Sequence, residues 1–151
     1  MVKLRSVLTV LLAFAIVALV SFGNVAEAKK LTKPPSYSSE QIATIQEYET
    51  KLSALRERMP ELADLIQKQD WVFVRNFIRG PLGELRSEMS YLTQNLLAAD
   101  QAEARKIARS VFTNLVAIDQ AAQNEDYKLA IRNYSETLRD FDAFLQRVPR
   151  V

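Results

Sequence analysis

The sequence predicts an all-α protein, an up-down-up-down four-helix bundle preceded by a signal segment and an extended linker. Three observations carry that expectation. Apolar residues recur at spacings of three and four through four successive stretches between residues 39 and 149. No stretch alternates with period two over a useful length, so no strand is predicted. Short turns separate the stretches, which makes antiparallel neighbours the natural arrangement. A long coiled-coil dimer is the structural alternative, because the stripes are heptad-like, but Pro60, Pro81 and the short turns oppose it.

Residues 1–28 read as an address. Lys3 and Arg5 form a positive start, and the apolar run from Val7 to Val20 is broken only by Thr9. That run is too short to span a bilayer comfortably and suits a signal-peptide core; Ala26-Glu27-Ala28 supplies a small-x-small site with cleavage after Ala28. Leu19-Val20-Ser21-Phe22 also follows the pattern of a lipoprotein signal, with Phe22 standing where the acylated Cys would be. Two outcomes stay open, a cleaved soluble product and an uncut N-terminal anchor, and both place the domain outside the cytosol. Residues 29–38 carry Lys29, Lys30, Lys33 and Pro34-Pro35, a composition suited to a solvated linker. Three lysines could touch anionic headgroups but are too few to anchor a protein.

The first helix is expected over about 39–66, capped by Ser39, with Ile42, Ile45, Tyr48, Leu52, Leu55, Met59, Leu62 and Leu65 on its buried stripe. Pro60 should kink or restart it without changing phase. The second, about 70–97, carries Trp71, Val74, Ile78, Leu82, Leu85, Met89, Leu92 and Leu96, and is expected to be kinked or broken at Gly80-Pro81. Asp100 followed by Glu103 resembles a capping box and sets a third helix over about 101–122, with Ala104, Ala108, Val111, Leu115, Ile118 and Ala122 inward. The fourth, about 125–147, places Tyr127, Ile131, Tyr134, Leu138, Phe141, Leu145 and Val148 on one face before Pro149.

Composition excludes most chemistry. The 151 residues contain no Cys and no His, and only 3 Gly. Thiolate nucleophiles, the commonest general base, inward Glu-x-x-His metal pairs and a glycine-rich phosphate loop are therefore all missing. With 20 basic against 18 acidic side chains, the formal charge of +2 offers no nucleic-acid footprint. No catalytic residue, bound cofactor, metal site or small-molecule substrate is predicted, and the chain is not read as an enzyme. Glu57, Glu61 and Asp64 form an acidic edge; a straight helix face cannot wrap a calcium ion, so a solvated edge is the expectation. Asp140 and Asp142 flank Phe141 and should point to different sides.

Arg75, Arg79 and Arg86, at spacings of four and seven, share a stripe of the second helix and are docking candidates, because arginine makes bidentate contacts to partner carboxylates. The alternative is a solvated face with intrahelical partners such as Glu84 and Glu88. Trp71 opens Trp71-Val72-Phe73-Val74, with Phe77 and Ile78, a run apolar on more than one face. Deep burial of both faces is the first expectation and a docking patch centred on Trp71 the second. Tyr48, Tyr127 and Tyr134 lie on core stripes and should pack there with their hydroxyls at the edge.

The stretch Trp71-x-x-Val74-Arg75-x-x-Ile78-Arg79-Gly80-Pro81-Leu82-Gly83-Glu84-Leu85-Arg86-x-x-Met89 resembles the central signature of the cyanobacterial extrinsic Q subunits of photosystem II, the PsbQ family. Leu96-Leu97-x-x-Asp100-Gln101, Ile118-Asp119-x-Ala121-Ala122, Asn133-Tyr134 and Asp140-Phe141-Asp142-x-Phe144-Leu145 extend the resemblance over about residues 37–149. It implies a four-helix bundle on the lumenal side of the cellular thylakoid membrane, peripheral and without catalysis of its own. Such a subunit docks on photosystem II beside the other extrinsic proteins, stabilises the oxygen-evolving complex and helps retain its calcium and chloride. Calcium, chloride and the manganese cluster then belong to the partner complex. Cyanobacterial members are typically lipoproteins, so Phe22 marks a lost lipidation position, and metal-binding His of some relatives has no counterpart here. The alternative function is a generic exported helical adaptor or assembly protein of chaperone-like kind.

Overall fold

A computed structural model describes residues 35–149; the signal segment, with Phe22 and Ala28, and the linker up to Pro34 lie outside the described residues. Among the described residues the chain forms six helices and no strand: α1 Ser39–Glu57, α2 Met59–Gln67, α3 Trp71–Arg79, α4 Leu85–Asn95, α5 Ala98–Gln123 and α6 Tyr127–Leu145. None is long and apolar enough to cross a membrane.

The first helix starts at Ser39 as expected, but its cap lies one residue earlier than the expected one. Ser38, not Ser39, closes a capping box: its Oγ accepts from Gln41 N–H at 3.1 Å, and Gln41 Oε1 accepts from Ser38 N–H at 3.0 Å. Ser39 would have Ile42 at the reciprocal position, which cannot return the bond. At Pro60 the helix restarts. Arg58 ends α1 and begins α2, and Pro60 falls in the first turn of α2, where a missing N–H leaves no intrahelical bond unmade. Met59, Leu62 and Ile66 are fully buried, so the apolar phase crosses the restart.

Gly80-Pro81 breaks the next stretch into α3 and α4 rather than bending it. The connecting turn is held by Leu82 N–H to Phe77 O at 3.1 Å and Gly83 N–H to Gly80 O at 2.8 Å. A Cβ on Gly83 would meet Arg79 O at 2.8 Å, so this turn needs the missing side chain. Leu82, Leu85, Met89, Leu92 and Leu96 are nonetheless buried together with Val74.

The third long stretch starts at Ala98, earlier than Asp100 and Glu103 suggested, and its N-cap, Leu97, makes no side-chain cap bond. Asp100 lies instead inside the first turn, where its negative charge still interacts favourably with the helix dipole. The corner before it is held from outside: Tyr37 Oη accepts from Leu97 N–H at 3.2 Å, and Gln101 Nε2 donates to Leu96 O at 2.9 Å.

Two other corners share one design. After α2, Asp70 N–H donates to Leu65 O and Gln69 N–H to Ile66 O, both at 3.0 Å. After α5, Asp126 N–H donates to Ala121 O at 2.9 Å and Glu125 N–H to Ala122 O at 3.4 Å. These are Schellman closures, and their left-handed residues are Gln69 (φ 54°) and Glu125 (φ 57°) rather than glycine. Asp126 then caps α6 through Leu129 N–H at 2.9 Å.

The elements pack in sequence. α5 and α6 form a long hairpin, α4 lies on α1, α3 and α4 lie on α5, and α6 closes on α1 and α2. One continuous apolar core runs between them, with Phe141, Phe144, Ile45, Leu52 and Ile118 wholly inaccessible. The stripe on α6 is shifted from the expected one. Ala130, Asn133, Tyr134, Thr137, Phe141 and Phe144 are buried, whereas Tyr127 is 38% exposed and Ile131, Leu138 and Leu145 are half-buried. Asn133 and Thr137 tolerate the interior because Asn133 Nδ2 donates to Leu129 O and Thr137 Oγ1 to Asn133 O, each at 2.8 Å.

Candidate functional site

The predicted arginine stripe runs along α3 and α4, and the structure places it against α5. Arg75 and Arg79 meet neither Glu84 nor Glu88; both converge on Asp119 of α5. Arg79 Nη2 donates to Asp119 Oδ2 at 2.9 Å, and Arg75 Nε lies 3.5 Å from Oδ1. The second approach is an ion pair without a hydrogen bond, leaving Arg75 Nε and Asp119 Oδ1 buried and unsatisfied. Glu88 turns toward Lys51 of α1, with 4.0 Å between Oε2 and Nζ. Arg86 has a ring for a partner: its guanidinium carbon stands 4.4 Å from the centroid of Phe112 on α5.

The Trp71 run does not bury both faces. Val74 is fully buried and Phe77 nearly so, but Val72 is 66% and Phe73 59% exposed, while Trp71 is half-buried. A nine-residue helix lying on α5 and α2 has only one side to hide, so the second apolar face remains in solvent. The tyrosines also divide. Tyr134 is buried and its hydroxyl donates to Met59 O at 3.2 Å. Burial pushes its hydroxyl pKa up from the ordinary 10.0, an effect that the nearby Arg56 charge opposes. Tyr48 stacks on Tyr91 with centroids 5.5 Å apart, and Tyr127 is at the surface.

The carboxylates pair locally or bridge helices. Glu61 pairs with Arg58 at 3.0 Å and Asp64 with Lys68 at 2.6 Å, both within α2 or across its boundary residues. Asp140 accepts from Asn114 of α5, whereas Asp142 takes Arg56 of α1 as a bidentate pair at 2.7 and 3.0 Å; the two carboxylates do face different sides. Among the described residues no three Asp or Glu side chains gather as metal ligands.

Beside Arg86 the structure adds residues that the sequence reading missed. Arg105 and Arg109 of α5 are exposed and share Phe112's face of the helix at spacings of four and three. That spacing was readable, but only the seam between α4 and α5 brings Arg86 opposite it. Asp119 was missed for the same reason: its partners lie on another helix, and periodicity carries no information on which helices meet.

An all-helical domain whose charges brace helices and whose remaining arginines and apolar side chains face outward defines a surface-presenting protein. A family model described as PsbQ, oxygen evolving enhancer protein 3, matches residues 3–149, and the chain belongs to that family. It is similar to CyanoQ of Synechocystis sp., at 37% identity over 151 residues that span 99% of either chain.

Proposed function

We propose that this chain is a non-enzymatic extrinsic subunit of photosystem II on the lumenal side of the thylakoid membrane. It stabilises the oxygen-evolving complex and helps retain the calcium and chloride of that complex. The family match through residue 149 carries this reading, since it takes in every described helix. The helix pairings support an up-down-up-down four-helix bundle in which α1 with α2 and α3 with α4 act as single rods. Residues 1–28 direct export in this reading, and the intact mass of the exported protein separates cleavage after Ala28 from an uncut anchor. In this reading Trp71 and Arg86 stand on the docking face, next to Arg75 and Arg79, which Asp119 already engages.

The test is a deletion strain. Photosystem II purified from the parent should carry the subunit, and the deletion should lower oxygen evolution under calcium or chloride limitation. A deletion strain equal to the parent under that limitation overturns the retention role. Capture of several envelope proteins, with no photosystem II, would favour a general exported adaptor.

A further inference from the structure

The seam between α4 and α5 opens outward as a groove built from three adjoining hollows of about 280, 410 and 300 Å³, all of which share Arg86 and Phe112. It runs from Asp119 to Arg105 along α5, about 20 Å at 1.5 Å per residue. Its floor is apolar at Phe112 and at the half-exposed Val116, while Arg86, Arg105 and Arg109 stand on its walls. In a chain with nearly balanced charge, none of these three arginines has a carboxylate within 4.0 Å among the described residues. At the Asp119 end Arg75 and Arg79 share that single carboxylate.

We propose that this groove docks an acidic amphipathic segment of a partner protein; the inference rests on the reading of the chain as a photosystem II subunit and names the surface it uses. The segment sets an apolar side chain against Phe112 and Val116. Its carboxylates face Arg86, Arg109 and Arg105, toward the end of the groove away from Asp119. Charge-assisted bonds to guanidinium groups that have no carboxylate of their own, with Arg86 on the Phe112 ring and Arg105 held by Gln101 of its own helix, supply orientation, and the apolar floor supplies desolvated contact. A concave channel between two helices suits a chain segment better than it suits a lipid surface, against which basic side chains would project from a convex face.

The full chain, the triple variant Arg86→Gln/Arg105→Gln/Arg109→Gln, and a control with the same charge change, Lys128→Gln/Arg132→Gln/Arg147→Gln, are titrated onto photosystem II particles stripped of extrinsic subunits. Helicity and the unfolding midpoint are measured for each, and Arg109→Gln alone serves if the triple variant does not fold. The groove variant should bind at least about tenfold more weakly at low salt and respond less to added salt than the wild type, while the control stays within about twofold. Irradiating Val116→p-benzoylphenylalanine in the bound state should attach a partner peptide rich in Asp and Glu. Equal binding by the groove variant and the wild type overturns the groove and leaves the subunit reading intact; a wild-type chain that does not bind overturns both. Phosphatidylglycerol vesicles form the last arm: losing vesicle binding while keeping particle binding would make the face a lipid surface and overturn the proposal.

Discussion

Two seams of this molecule are lined with arginine and come out opposite. Between α1 and α6, Arg56 is locked to Asp142 by two hydrogen bonds and lies near Tyr134, whose hydroxyl reaches Met59 O. Between α4 and α5, Arg86 rests on Phe112, and Arg105 and Arg109 have no carboxylate beside them among the described residues. The first seam satisfies its charges internally. The second presents them. Arginine content therefore says little about a seam; the presence of a carboxylate on the facing helix decides whether the charge is structural or available.

The strongest way to break this contrast is to remove a ring from each side. Phe141 is wholly buried, and Phe141→Ala should cost about 3–5 kcal/mol in chemical denaturation, as a large core truncation does. Phe112 is half-buried, so Phe112→Ala should cost less than about 1.5 kcal/mol while weakening partner binding. Equal losses of stability would mean that the α4–α5 seam is as closed as the other. A smaller difference should separate the arginines. Arg56→Gln breaks a bidentate pair whose members remain partly solvated, for about 1 kcal/mol, whereas Arg86→Gln should stay within about 0.5 kcal/mol.

The smallest effect is one of pH. Tyr134 has its pKa raised by burial, so its contribution to stability is present below pH 10 and is lost as pH rises through the raised value. Urea midpoints should hold up to about pH 10 and fall above it, and Tyr134→Phe should flatten that fall. An identical alkaline slope in the variant would assign it to other groups.

Much of the architecture was legible because burial in this chain follows period. The stripe from Val74 to Leu96 survives a full break of the helix at Gly80-Pro81, and the stripes of α2 and α5 bury nearly as their spacing predicts, whereas α1 hides Ile45 and Leu52 and leaves Ile42, Tyr48 and Leu55 half-buried. α6 was read less well. It packs on α5 at one side and on α1 and α2 at the other, so its buried arc is wide and includes Asn133 and Thr137, whose polar atoms bond back to their own helix. The candidate site was legible only in part. Arg86 was visible as a member of a stripe, but its facing residues Arg105, Arg109 and Phe112 depend on register between helices, which no local spacing encodes. Val72 and Phe73 were expected inside; a short helix with a single covered side leaves them out.

The corners at Gln69 and Glu125 place side-chain-bearing residues where the backbone turns left-handed, a conformation that costs roughly 1–2 kcal/mol for an L-residue. Closure there is enforced by the packing of the helices on either side, so each corner holds unspent stability that glycine would release. Neither residue lines the groove beside Arg86. The protein thus comes with two independent tuning points, at which an experimenter can raise or lower the robustness of the fold while leaving the arginine face as it is.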